Sequence, residues 1–358
     1  MDIGYTADQL RAATVDAVRA PSLHNTQPWR MRLRDGGIEV LTDPTRRLPA
    51  TDPSGWGVRI ACGAALFNLR LALAVAGVPA RVRLRPDPAE PDLLARLVPD
   101  IARRPTPAEQ SLHAAIPRRF SNRMPFWPDP VPSDARWRLG EAARAEGCWL
   151  ELLIGVSAVT AFGEIARGAH RVLERDPAYR EERRQWLRRE PAPDGVPAAA
   201  GGPQHEPQDV LPTRGFGGRD RAPGRDFEPE PLVGVLGSVG NTAIDQVVAG
   251  QALQRVLLTA TDSGLSVSML SQPIEVPTAR EQLRLSLGRF GTPQMALRVG
   301  YGQPGRPTPR RPVDEVLDID CREDVVDPPS RSWDQPASSR SSGRGTAPGS
   351  RAPTSASA

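Results

Sequence analysis

Two short segments carry side chains whose types and spacing suit ligand chemistry. Residues 20–30 read APSLHNTQPWR and place Ser22, His24, Asn25, Thr26 and Gln27 between a proline and a Pro–Trp step. A connecting loop needs one or two turn formers, whereas five neutral donors and acceptors can line the edge of a polar ligand. The second segment, RRFSNR over 118–123, spaces Arg119 and Arg123 around Ser121. Two guanidiniums with a hydroxyl between them can chelate a phosphate through charge-assisted hydrogen bonds; a helix-capping serine beside surface arginines is the plainer alternative. Arg310 and Arg311 follow the last long strand and could reach the same anion, or face solvent.

Other chemistries find less support. His24 is the one histidine inside a dense polar cluster, and a loop histidine can equally satisfy local backbone; no Ser-His-Asp or HExxH pattern recruits it. His113, His170 and His205 lack metal-ligand spacing, so no metal is expected. Cys62, Cys148 and Cys321 lie far apart without CxxC spacing, which fits a reducing cytoplasmic setting. Residues 300–305 spell GYGQPG, a literal GxGxxG after a strand. Pro304, Pro307, Pro309 and Pro312 forbid the helix a dinucleotide loop must open, so a Rossmann site is rejected.

The elements that must position these groups follow from periodicity. Thr6 and Gln9 have capping-box spacing ahead of a helix ending at Pro21. Alternation through Trp29, Met31 and Leu33, then Asp35-Gly36-Gly37, then Ile38 and Val40, predicts a β-hairpin. Trp29, first in its strand, could pack near the ligand or in the core. A second helix is expected over 58–77. Its Gly63, Ala65, Leu66, Leu71 and Gly77 recur at equal offsets as Gly250, Ala252, Leu253, Leu258 and Gly264. An alternating strand follows each copy (80–84 and 266–270), then a Pro-containing turn and an expected leucine-rich helix. We read a degenerate duplication, two related lobes in one chain.

Bulk properties set the frame. The chain has 358 residues, a net charge of +4, and 46 basic residues that are all arginine. That charge is too small to argue for nucleic acid. The region 162–189 reads as a charged helix with interleaved Glu and Arg, and 190–226 as a Pro/Gly/Ala-rich flap; 322–358 should be disordered. Without an apolar leader or a run near the roughly 20 residues of a membrane span, a cytoplasmic protein with no membrane partner is expected.

Taken together these segments resemble the nitroreductase superfamily. Arg119-Phe-Ser121-Asn-Arg123 is similar to the family's R-x-S-x-R phosphate segment, and Ser22-x-x-Asn25-x-Gln27-Pro28-Trp29 to its S-x-x-N-x-Q-P-W segment. Residues 264–277 (GLSVSMLSQPIEVP) stand where the family has its flavin-loop segment, and the terminal strand with PRRP resembles its last phosphate-contacting arm. The nearest resemblance is to the Acg-like actinobacterial branch of fused lobes, over about residues 6–320. It implies an α+β fold, a pseudo-dimer whose central antiparallel or mixed sheets are flanked by helices, with lobes at 1–110 and 111–321. It implies FMN held by Arg119, Ser121 and Arg123, with Arg310 and Arg311 assisting and Ser22, His24, Asn25 and Gln27 around the ring. Each lobe carries half of the motif pair, so one site between lobes is expected, in a monomer or a homodimer. The implied activity is NAD(P)H-dependent reduction of a nitroaromatic or quinone-like acceptor. A rival reading is FMN sequestration in stress or dormancy under a closed flap at 190–226, and a third is an interaction protein using the Arg-rich helix and tail.

Overall fold

The computed structural model describes residues 4–203, 209–212, 214–216, 228 and 231–319. The expected tail at 322–358 and parts of the expected flap lie outside the described residues.

Helix α1 (Ala7–Ala17) starts at the expected capping box: Thr6 Oγ1 accepts from Gln9 N at 3.2 Å, and Gln9 Oε1 accepts from Thr6 N at 2.9 Å. Strands β1 (Trp29–Arg34) and β2 (Gly37–Thr42) form the hairpin, with Asp35 and Gly36 both at positive φ in the two-residue turn. Trp29 is fully buried in the core. Helix α2 (Trp56–Val75) then leads to β3 (Ala80–Leu84) and β4 (Leu93–Pro99). Here the expected leucine-rich helix is overturned. Residues 93–99 pair antiparallel with β2 on one side and β3 on the other. A short apolar run does not reveal its own period; the two waiting strand edges decide it.

The second half repeats the plan. Helices α3 (Pro107–Ala115) and α4 (Ser133–Arg144) precede β5 (Trp149–Leu153). The charged region begins earlier than expected and is broken: α5 (Val156–Arg175) and α6 (Pro177–Gln185) meet at Asp176, where Pro177 forbids continuation. Short strands β6 (Leu187–Arg188) and β7 (Val196–Pro197) pair in parallel. Then come β8 (Leu232–Ser238), α7 (Ala243–Asp262), β9 (Ser266–Leu270), α8 (Gln272–Glu275), α9 (Pro277–Leu287), β10 (Thr292–Gly300) and β11 (Leu317–Ile319).

One sheet has the order β11-β1-β2-β4-β3 and the other β5-β8-β10-β9. Counted within each lobe, both contain the same antiparallel path, first–second–fourth–third, with a 20-residue helix between the second and third strands. Strand β11 then pairs in parallel with β1, so residues 317–319 return to the first lobe's sheet and the lobes are not strictly sequential. Helix α2 is long and apolar enough to cross a membrane, against the sequence expectation, but it is buried and contributes to both main cores. The GxGxxG glycines serve close packing: a Cβ on Gly300 or Gly302 would meet the Phe126 ring at 2.8 or 3.0 Å.

Candidate functional site

The loop after α1 is held in an unusual backbone. His24, Asn25 and Gln27 have φ of 49°, 56° and 53°. Left-handed conformations cost a non-glycine residue roughly 1–2 kcal/mol each, so surrounding bonds must hold them. Those bonds come largely from the polar side chains themselves. Ser22 Oγ accepts from Gln27 N at 2.9 Å. Asn25 Nδ2 donates to the carbonyls of Gly195 (2.9 Å) and Pro309 (3.0 Å), and Asn25 Oδ1 accepts from Arg310 at 3.0 Å. Gln27 Nε2 donates to the Pro193 carbonyl at 2.9 Å, while its Oε1 accepts from Arg311 N at 2.8 Å. Asn25 and Gln27 are therefore occupied, joining the loop to the 193–195 segment and the 309–311 arm. The sequence expectation placed both around a ring; in this structure their side chains bond to those two segments, and neither lines the cleft described next.

A cleft between the lobes, about 810 Å³ of empty space partly open to solvent, is lined from the first lobe by Ser22, Leu23, His24, Trp56, Gly57 and Ile60. The second lobe adds Arg123, Leu253 and the run Ser268–Gln272, and the described flap residues add Gly202, Arg214 and Phe216. His24 is buried, and neither ring nitrogen has a partner among the described residues. Burial first, then the charges of Arg214, Arg183 and Arg123, hold its pKa well below the ordinary histidine value, so its imidazole is neutral at pH 7. Gln272 Nε2 is likewise buried without a partner. Two polar side chains thus present unused hydrogen-bonding atoms in one cleft wall, which buried groups do not ordinarily do.

The arginines divide into two kinds. Arg119 is buried, and among the described residues its guanidinium donates to the Arg19 carbonyl, at 3.1 Å. Arg310 reaches the same carbonyl at 3.2 Å and the Ala20 carbonyl at 3.3 Å. Neither has a carboxylate partner among the described residues, and the Nε of each is buried and unsatisfied. Desolvation lowers Arg119 to about 10. Desolvation, then repulsion from Arg119 and Arg19, lowers Arg310 to about 9. Two neighbouring guanidiniums are thus bonded to neutral oxygens, with no carboxylate partner among the described residues. Arg123 also has no carboxylate partner among the described residues; desolvation and Arg214 lower it to about 10, and it lies 4.7 Å over the Phe216 ring while donating to the Ala200 carbonyl at 3.3 Å. Arg311 differs: it points to Asp43 (3.4 Å) and Glu315 (3.5 Å), so its charge is already answered and the expected assistance to phosphate is withdrawn. Ser121, half-buried, makes a lone bridge to Val267 and does not line the cleft.

Sequence reading missed Arg214, Phe216 and Gln272. Arg214 pairs with Glu275 at 2.6 and 2.7 Å, and Phe216 meets the His24 ring edge-on at 5.9 Å. Gln272 lies within the 264–277 segment that the family resemblance marks, whereas no motif marks Arg214 or Phe216.

No family model matches the chain. It is 35% identical over 328 residues to Rv3131 of Mycobacterium tuberculosis, a protein provisionally named an NAD(P)H nitroreductase, covering 87% of this chain and 92% of that one. To Acg of the same organism, also provisionally named an NAD(P)H nitroreductase, it is 31% identical over 334 residues, covering 90% and 99%. Among solved structures, the FMN-dependent nitroreductase NfnB of Mycobacterium smegmatis in complex with NADPH aligns with 57% of this chain and 96% of its own at 19% identity; the TM-score of 0.38 is too low to bear on the assignment. With relatives of this identity matching along almost their whole length, the chain belongs to the nitroreductase superfamily, in company with Acg and Rv3131.

Proposed function

We propose that the inter-lobe cleft binds one FMN and that the protein is an oxidoreductase passing two electrons from NAD(P)H to a nitroaromatic or quinone-like acceptor. The observation that carries this reading is the pair Arg119 and Arg310, adjacent guanidiniums without a carboxylate, beside a cleft whose wall leaves His24 and Gln272 unsatisfied. A phosphate fits the first feature and a heteroaromatic ring with carbonyl and imino edges fits the second. Bound FMN supplies the two-electron chemistry that these side chains lack. Arg119 and Arg310 would hold its phosphate. Arg123, a cation in the cleft wall, would favour negative charge on the ring, and neutral His24 would donate or accept at the ring edge. The apolar walls Trp56, Ile60 and Leu253 exclude water.

The sequestering alternative has its own support. Residues 193–203 are fastened across the loop by Asn25, Gln27 and Arg123, and by Arg46, which donates to Asp194 at 2.9 Å. A visible spectrum of purified protein, followed anaerobically as NADPH or NADH is added, separates the readings. A flavin band that bleaches supports the reductase, and one that persists supports sequestration. A colourless protein that takes up no added FMN overturns both.

A further inference from the structure

A second cleft lies on the other side of the first turn of α2, about 1,060 Å³ of empty space partly open to solvent. Its lining includes Arg47, Arg59, Arg85, Asp52 and Asp92. The carboxylates are already engaged. Asp52 Oδ2 accepts from Val58 N at 3.0 Å, where it caps α2, and Asp92 accepts from Thr42 Oγ1 and from Arg47 at 3.2 Å. Two cations remain without an acid. Among the described residues Arg59 donates to neutral oxygens, Gln246 Oε1 at 2.5 Å and the Ser54 carbonyl at 2.6 Å. The Arg85 guanidinium has no partner among the described residues, and its backbone stands at φ 43°, a region arginine seldom adopts. Burial, and then Arg85 and Arg47 against the opposing pull of Asp52, keep the Arg59 pKa below its ordinary value. The cleft therefore concentrates positive charge on groups that repel each other, with room for a ligand between them.

We propose that this second cleft is a binding site for a phosphate-bearing small molecule, its anionic group held between Arg59 and Arg85. Guanidiniums suit a phosphate because their forked donors match its oxygens, and a doubly charged anion would relieve the repulsion as well as satisfy the donors. The site is separate from the residues assigned to FMN and does not rest on that assignment.

The test is calorimetric titration of the full chain saturated with FMN, at low ionic strength, with inorganic pyrophosphate and, separately, with adenosine 2′,5′-bisphosphate. Saturable binding of at least one probe is expected, weakened tenfold or more in Arg59→Gln and in Arg85→Asn, and unchanged in Arg119→Gln. Asparagine keeps the positive φ at 85, so the second variant does not depend on refolding the turn. Equal binding of both probes assigns the site to free phosphate groups; binding of the bisphosphate alone assigns it to a nucleotide. No saturable binding of either, affinity untouched by both substitutions, or loss of binding in Arg119→Gln instead, overturns the proposal.

Discussion

Gly63 and Gly250 face each other where α2 crosses α7, each set against the backbone three residues before the other. A Cβ on Gly63 would lie 2.2 Å from the Val247 carbonyl oxygen, and one on Gly250 would lie 2.2 Å from that of Ile60. They form one of the two glycine pairs that the internal repeat aligns, so these duplicated positions meet at the pseudo-symmetric crossing. Leu71 and Leu258, also aligned by the repeat, share one small apolar cluster nearby.

Because the obstruction is backbone, neither glycine tolerates a methyl group without moving a helix. Gly63→Ala and Gly250→Ala should each lower stability by about 1–3 kcal/mol. The double variant should cost less than the sum, since the first already pries the helices apart. Chemical denaturation of the three variants measures this.

Substituting the anion cradle should separate binding from folding. Arg119→Ala and Arg310→Ala should each weaken FMN by about 1–3 kcal/mol, the usual loss with a charged hydrogen bond, as titration of the stripped protein would show. Arg311→Ala should instead lower thermal stability, because it removes the nearer of the two guanidiniums, Arg311 at 3.4 Å and Arg46 at 3.8 Å, that pair with buried Asp43. Native FMN affinity in both Arg119→Ala and Arg310→Ala would refute the phosphate assignment.

His24 and Asp52 should bend the stability–pH curve in opposite directions. Burial depresses the His24 pKa, so the folded state holds fewer protons than the unfolded state. Its contribution is fully present above the unfolded value near 6.5 and is lost as pH falls below it. His24→Asn, which keeps the positive φ, should flatten that acid limb in urea midpoints measured across pH 4–8.

Asp52 is shifted the other way, up to about 6, by burial that outweighs its bonds to Val58 and Gly57. The folded state then holds the extra proton, and stability falls as pH rises from about 4 to 6, by at most about 3 kcal/mol. Asp52→Asn retains an oxygen for the helix cap and should abolish this slope. A slope unchanged in Asp52→Asn would assign it to another group.

Much of this was legible in the chain. The two polar segments identified the elements that meet at the cleft because their residues are contiguous and their types unusual. The hairpin at Asp35-Gly36 and the cap at Thr6 are local, set by turn and capping chemistry within a few residues. What escaped depended on partners distant in sequence. Residues 93–99 became strand only because β2 and β3 offered edges. Asn25 and Gln27 looked like ligand contacts until the 193–195 segment and the 309–311 arm were seen to consume them. Phe216, in a stretch without periodicity, gains meaning only from the His24 ring against it.

The return of the chain's last strand to β1 bears on how the protein is made. Asn25 and Arg310, bonded to each other, are 285 residues apart in sequence. During synthesis the first lobe's loop and the outer edge of β1 emerge early and must wait, unclosed, until almost the whole described chain has followed. The anion cradle therefore does not exist on a nascent chain, and a truncated translation product would carry the polar loop without the arm that completes it.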